Sequence, residues 1–181
     1  MALDSYHYIS RWKVEATVEE VAEIVTDALS FVDWWPSVYL EMKEVAPGDG
    51  GGVGREVIAL TKGWLPYRLR FDFTVTESDY PRGYAVRASG DFEGRGIWTF
   101  DRDRGDVIVT YDWLVRPASG FLRRLAPVLM PVFSANHRWA MDRGEESLRL
   151  ELARRRARTP QERVEIPQPP GPTFFRPAAR L

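Results

Sequence analysis

The chain has 181 residues, with 25 lysines and arginines against 26 aspartates and glutamates, a formal net charge of -1 and no cysteine. This length suffices for one domain with a sizeable core, and the balanced charge excludes a general attraction to nucleic acid. The composition also excludes disulfides and thiolate sites, and two histidines, His7 and His137, are too few for a multi-histidine metal site. We therefore expect no metal and no cofactor. The lack of cysteine and of a signal-peptide pattern at the first residues predicts a cytoplasmic protein.

The first part of the chain predicts one strand followed by helical segments. The strand is YHYISRWKVEA, residues 6–16. Thr17 and Glu20 have the spacing of a capping box, which predicts a helix to about Leu29. SFVDWWPSV is then a short helix or turn that Pro36 ends. Trp34 and Trp35 are hard to bury together in so short an element. Ordinary packing is the preferred interpretation, and a ligand lid or a membrane-touching ring is the alternative.

Six further runs predict strands joined by short turns without helices between them. They are VYLEMKEVA, REVIALTKGW, YRLRFDFTVTE, GYAVRAS, DFEGRGIWTF and DVIVTYDWLVR. Strands in such a series form an antiparallel sheet, here of about seven strands. Period-two alternation gives this sheet one apolar, aromatic face and one polar face. The polar face takes Asp91, Glu93, Arg95 and Asp112, whereas Glu41 and Glu56 could lie on either face.

The C-terminal third predicts a long helix and a tail. Residues 118–156 are helical in pattern, apolar nearly all round at first, with Pro127 and Pro131 expected to kink or break the helix. From about Pro131 to Arg156 a single apolar stripe remains, and it contains His137. Residues 158–181 are rich in proline and lack periodicity, which predicts an extended tail after a domain spanning residues 1–157.

The apolar segment SGFLRRLAPVLMPVF needs to be covered. Its own domain or a homodimer partner is the preferred cover, and the tail could supply it by folding Phe174 and Phe175 back. Contact with a membrane surface, with Arg123 and Arg124 at the headgroups, is the alternative.

Five segments carry a family resemblance. They are DWWPSV, GWLPYRLRFDFTVTESD, GDFEGRGIWTF, TYDWLVR and NHRWAMDRGEESLRLEL. From about Tyr6 to Arg156 the chain resembles the SRPBCC superfamily of START and birch-pollen-allergen-like proteins, in its bacterial polyketide cyclase/dehydrase-like branch. The resemblance implies the α+β helix-grip fold: a curved antiparallel sheet wrapped around a long C-terminal helix, with two short helices after the first strand. It also implies an elongated cavity between sheet and helix for a small hydrophobic molecule.

The candidate ligand contacts lie on the apolar sheet face, the helical stripe and the DWWPSVY segment. They are Trp35, Tyr39, Tyr67, Phe71, Tyr84, Phe92, Trp98, Tyr111, Trp113, Phe133, His137 and Met141. At least half of the rings must be core, since a pocket needs few of them. Gly94 and Gly96 lie on the same sheet face, where they either permit curvature and close packing or line the cavity.

His137 is the weak candidate for a catalytic residue. On helical spacing it should point toward the sheet, where a buried imidazole needs a partner such as Tyr111 or a tryptophan N–H. A satisfied core histidine is the preferred interpretation, and a group that orients a ligand or transfers protons is the alternative. Parity places no carboxylate with certainty on the inner face.

Three functions are consistent with this sequence. The first is binding of an aromatic, polyketide or acyl ligand in the cavity. The second is a polyketide cyclase or dehydratase in the same cavity, with His137 or a tyrosine moving protons. The third is a protein or membrane adaptor that uses the apolar segment and the tail.

Overall fold

The computed structural model describes residues 5–118 and 120–174, and of residues 120–129 the backbone alone. Its strands are β1 (Tyr6–Val14), β2 (Tyr39–Ala46), β3 (Glu56–Lys62), β4 (Arg68–Asp79), β5 (Gly83–Gly90), β6 (Phe92–Asp103) and β7 (Asp106–Pro117). Its α-helices are α1 (Val18–Val25), α2 (Phe31–Trp34), α3 (Gly120–Arg156) and α4 (Pro160–Glu165), and a 3-10 turn (Ala28–Ser30) precedes α2.

The seven strands form one antiparallel sheet in the order β1-β7-β6-β5-β4-β3-β2. Consecutive strands from β2 to β7 are neighbours, as their short turns require, and β1 closes the other edge against β7. The helix α3 packs on this sheet, and α1 and α2 follow β1. The predicted α+β helix-grip fold is confirmed. None of the described helices is both long and apolar enough to cross a bilayer.

The capping box at the start of α1 is present as predicted. Glu20 N donates to Thr17 Oγ1 at 3.2 Å, and Thr17 N donates to Glu20 Oε2 at 2.8 Å. The helix ends at Val25 rather than near Leu29. The Thr26 hydroxyl donates to Ala22 O at 2.7 Å, and the backbone leaves the helical region at Asp27, where ψ is 79°. The chain then continues through the 3-10 turn into α2.

The helix α3 is one continuous helix, so the predicted break at Pro127 or Pro131 is wrong, and the alternative of a kink stays a prediction. Each proline removes one backbone donor from the helix. Because the two prolines are four residues apart, they lie on the same helix face, and Pro131 is exposed to solvent. Water can therefore satisfy the carbonyl that Pro131 leaves without a donor.

The last turns of α3 pack against a cluster of tryptophans. Trp12, Trp34 and Trp35 are 3%, 1% and 2% exposed, so the alternative of an exposed lid ring at Trp34 or Trp35 is wrong. Gly144 makes this burial possible. A Cβ atom there would lie 2.4 Å from Trp35 Cζ2 and 2.7 Å from Trp12 Cζ2. We call these three rings, with Gly144 and Leu148, the tryptophan cluster.

The residues after α3 contain a short helix that the tail prediction did not include. Thr159 caps α4, since its Oγ1 accepts a hydrogen bond from Glu162 N at 3.1 Å, and Pro160 opens the helix. The sequence TPQE is a capping box with proline at the first helical position, so this signal was available in the sequence. Beyond α4 the chain returns to the end of β3, where Thr173 contacts Lys62.

Candidate functional site

A cavity of about 130 Å³ lies between the inner face of the sheet and the middle of α3. Ten of the twelve candidate residues line it. The sheet contributes Tyr39, Tyr67, Phe71, Phe92, Tyr111 and Trp113. The helices α2 and α3, with the residue that follows α2, contribute Trp35, Phe133, His137 and Met141. We call this the main cavity.

The remaining two candidates, Tyr84 and Trp98, line a second cavity of about 110 Å³ nearer to α2. Tyr39, Phe73 and Tyr111 line both cavities and therefore form the partition between them. An apolar cavity of about 150 Å³ in another protein binds benzene, so the main cavity has room for about one ring. Movement of the partition would join the two spaces into about 240 Å³.

The aromatic rings that line these cavities are arranged in a cross-strand row. Tyr84 pairs with Trp98 across β5 and β6, and Trp98 pairs with Tyr111 across β6 and β7. Trp98 and Tyr111 stack with centroids 4.1 Å apart, and Tyr111 stacks on Trp113 at 5.5 Å. The rings therefore lie along the sheet and contact one another, which leaves space above them.

The absence of a side chain at Gly96 leaves space for the Tyr111 and Trp113 rings of this row. A Cβ atom at Gly96 would lie 2.7 Å from Tyr111 Oη and 2.9 Å from Trp113 Cε3. At Gly94 a Cβ atom would meet the β7 backbone, 2.0 Å from Leu114 O. Both glycines serve close packing, and neither lines the main or the second cavity.

The His137 ring lines the main cavity, but its contacts come from β1 instead of the predicted Tyr111 or tryptophan N–H. It stacks on Tyr8 with centroids 4.4 Å apart, and its Nε2 lies 3.3 Å from Ser10 Oγ. Burial lowers the pKa of His137 to about 4. At neutral pH the imidazole is therefore uncharged, and it can donate or accept a hydrogen bond without contributing a charge.

Three tyrosine hydroxyls in the main cavity have no hydrogen-bond partner among the described residues, namely those of Tyr39, Tyr67 and Tyr111. Burial raises the pKa of all three phenols, that of Tyr67 to about 12, so they remain donors. Other tyrosine hydroxyls are engaged: Tyr84 donates to Val25 O at 3.0 Å, and Tyr8 Oη lies 3.4 Å from Ser134 Oγ.

No carboxylate of the described residues lines the main cavity. The four side chains predicted on the polar face lie outside both cavities, and Glu41 and Glu56, which parity left open, are exposed. The charged side chain that does line the main cavity is Lys62. General acid–base chemistry with a carboxylate partner is therefore not built into these walls.

Sequence reasoning missed Lys62, Tyr8 and Asn136 as cavity residues. Side chains alternate between the two faces of a strand, so Lys62, which follows the inward-facing Thr61, is expected on the outer face. Both residues are nevertheless buried at the end of β3. Tyr8 could have been found, because Tyr6, Tyr8 and Trp12 alternate on one face of β1. Asn136 lies against Gly63, and its Oδ1 accepts a hydrogen bond from Leu65 N at 3.3 Å.

The predicted contacts of the apolar segment before Met130 and of Phe175 lie outside the described side chains. These include Arg123 and Arg124.

The fold has many solved counterparts at low sequence identity. A Thermus thermophilus protein matches with a TM-score of 0.66 and 15% identity, over 84% of this chain and 100% of that chain. The ZhuI aromatase/cyclase of a Streptomyces species matches with a TM-score of 0.66 and 16% identity, over 85% and 97%. The di-domain aromatase/cyclase BexL matches with a TM-score of 0.64 and 10% identity, over 87% of this chain and 52% of that one.

Searches of protein-family models and of curated protein sequences give no match. The resemblance to SRPBCC helix-grip proteins is thus confirmed as a likeness of fold. At these identities the likeness carries no chemistry with it, so function must be argued from the site.

Proposed function

We propose that this chain is a cytoplasmic protein that binds a small hydrophobic molecule, aromatic, polyketide or acyl, in the main cavity. The observation that carries the proposal is a cavity with aromatic walls in which the hydroxyls of Tyr39, Tyr67 and Tyr111 have no described partner. Binding sites for small molecules are mostly apolar, with a few polar groups that fix orientation. Hydroxyls that have no protein partner can donate to a carbonyl or hydroxyl of the ligand, which would fix its orientation.

The size of the cavity limits the ligand. One ring fits about 130 Å³, and two fused rings require the partition of Tyr39, Phe73 and Tyr111 to move. The Tyr111 ring stacks between Trp98 and Trp113, whereas Tyr39 lies on β2 at the sheet edge. We therefore expect Tyr39 to be the moving part.

The test is uptake of naphthalene-2-carboxamide, a neutral two-ring compound, measured by isothermal titration calorimetry. We expect a dissociation constant on the order of 10–100 μM, as is typical for a ligand of this size. Ala140→Phe places a ring in the main cavity and should weaken binding at least about tenfold, because it takes the space of the ligand. Ala153→Phe, on the exposed face of the same helix, is the matched control and should bind normally. Equal binding by both variants would overturn the proposal.

A second candidate is a polyketide cyclase or dehydratase that uses the same cavity. The observation in its favour is that two ionisable side chains, His137 and Lys62, line the walls. Against it, the pKa of His137 is about 4, which makes its neutral imidazole a weak base. The enzyme hypothesis predicts that His137→Ala abolishes turnover of a poly-β-keto substrate and leaves carboxamide binding intact. The binding hypothesis predicts no turnover in either protein.

The adaptor function and a homodimer through the apolar segment or the tail remain predictions. Met130 and Val132, which belong to that segment, are 39% and 37% exposed. Analytical ultracentrifugation of the full chain distinguishes a monomer from a dimer.

A further inference from the structure

Lys62 is a buried cation at the wall of the main cavity. Its residue is 2% exposed, and its backbone N–H donates to Val38 O at 2.9 Å, which fixes the end of β3 beside the residues that follow α2. Among the described residues it is the only charged side chain that lines the main cavity. The described part of the cavity wall therefore carries one positive charge and no negative one.

The C-terminal segment contacts this cation directly. Lys62 Nζ donates to the carbonyl oxygen of Thr173, and it lies 2.9 Å from Thr173 Oγ1. Thr173 Oγ1 lies 3.3 Å from the carbonyl oxygens of Gly63 and Trp64, so Thr173 is held at the end of β3. The Phe174 ring centroid is 5.6 Å from Nζ. The segment that follows α4 thus reaches back to the cavity wall.

The two observations concern the same ammonium group. Thr173 offers it neutral oxygens, whereas a carboxylate offers a charge-assisted hydrogen bond, which is about twice as strong. Burial and the nearby Arg68 both lower the pKa of Lys62, because both disfavour its charged form. A bound anion would stabilise the charged form and offset part of this free-energy cost.

We infer that Lys62 binds a carboxylate at one end of the ligand and that Thr173 of the C-terminal segment competes for the same ammonium. This inference rests on the proposed function, since it assigns the polar end of the ligand of that cavity. The preferred ligand is then an aromatic or acyl acid, with its apolar part against the Phe71 and Trp113 rings. The tail weakens binding of acids and leaves binding of neutral compounds unaffected.

A pair of isosteric compounds tests the charge, namely naphthalene-2-carboxylate and naphthalene-2-carboxamide. In the full chain the carboxylate should bind about tenfold more tightly than the amide. Lys62→Met should remove that preference, and Lys62→Arg should retain it. If the full chain binds the two compounds equally, the assignment of Lys62 is wrong, although the proposed function stands. If neither these compounds nor their one-ring counterparts benzoate and benzamide bind, both are overturned.

Two truncations test the competition. A C-terminally amidated chain that ends at Pro172 lacks Thr173, and an amidated chain that ends at Phe174 retains it and serves as the matched control; amidation keeps a new terminal carboxylate away from Lys62. Removal of Thr173 should tighten carboxylate binding about fivefold, because the ammonium no longer has an intramolecular competitor. The control should bind as the full chain does, and amide binding should be equal in all three. Equal carboxylate affinity in the two truncated chains would overturn the competition.

Discussion

The middle and the C-terminal half of α3 face the same sheet, but the space between helix and sheet is filled in one region and holds a cavity in the other. At Gly144 and Leu148 the helix carries no side chain or an aliphatic one, and the rings of the tryptophan cluster fill the space between helix and sheet. Around His137 and Ala140 the sheet is equally aromatic, yet a cavity remains. In the tryptophan cluster the Trp12 and Trp35 rings reach α3, since a Cβ atom at Gly144 would lie 2.4 Å from Trp35 Cζ2 and 2.7 Å from Trp12 Cζ2. In the cavity region Tyr111 and Trp113 stack on each other at 20°, and space remains between them and the helix. A count of aromatic residues therefore does not indicate how well a core is filled.

The two regions should differ most in the free energy of unfolding that is lost when one large side chain is truncated. Leu148 is fully buried, so Leu148→Ala should lower the free energy of unfolding by about 3 kcal/mol. Phe133→Ala removes more atoms, yet it should cost only about 1 kcal/mol, because this half-buried ring already borders a cavity. Urea denaturation of both variants provides the measurement. Equal losses would mean that the cavity region is packed as tightly as the tryptophan cluster.

The buried imidazole should make the cavity region sensitive to pH. The pKa of His137 is about 4 in the folded chain against 6.5 for an ordinary histidine, so between these values the unfolded chain binds a proton that the folded chain does not. The contribution of the uncharged imidazole to the free energy of unfolding is fully present above pH 6.5 and is lost as the pH falls toward 4, by about 3 kcal/mol. His137→Gln should lack this loss between pH 7 and pH 4.5.

His7→Gln is the matched control for that titration, because the His7 side chain is 52% exposed on the outer face, beside Asp112. It should retain the wild-type difference in unfolding free energy between the two pH values. A loss that persists in His137→Gln would assign the pH dependence to other groups.

Beside Leu148 of the tryptophan cluster, α3 carries a buried hydroxyl without a hydrogen-bond partner. Ser147 is fully buried in α3, and its Oγ has no partner among the described residues. Ser147→Ala removes a hydroxyl that pays desolvation without a hydrogen bond, and it should raise the free energy of unfolding by about 1 kcal/mol. Ser134→Ala, next to Phe133 on α3, should not be stabilising, because that hydroxyl lies 3.4 Å from Tyr8 Oη. Stabilisation of both variants to the same extent would contradict this distinction.

The sheet was predictable because its strands are long and alternate cleanly. Phe71 and Phe73 on β4, or Tyr111 and Trp113 on β7, can be placed on the inner face from period two alone. The α1 cap was also predictable, since it depends on two side chains three residues apart. These features are local, and local spacing is what a sequence displays directly.

The parts that sequence reasoning missed depend on distant contacts. The partners of His137 lie on β1, and its contact Ser10 precedes it by 127 residues in the chain. Lys62 is buried at a strand end where Thr173, 111 residues later, returns. The burial of Trp35 beside Trp12 required Gly144 on α3. No spacing rule within one element reveals such pairs.

The central claim is that a hydrophobic ligand binds in the main cavity, which Trp35 also lines, and not around Trp34 in the interior of the tryptophan cluster. The most direct measurement is the indole N–H region of the proton–nitrogen correlation spectrum during titration with naphthalene-2-carboxamide. Trp113 lines the main cavity, and Trp34 lies in the tryptophan cluster outside both cavities. The account predicts that the Trp113 signal shifts saturably while the Trp34 signal stays in place. A saturable shift at Trp34 with an unchanged Trp113 would place the ligand elsewhere and contradict the account.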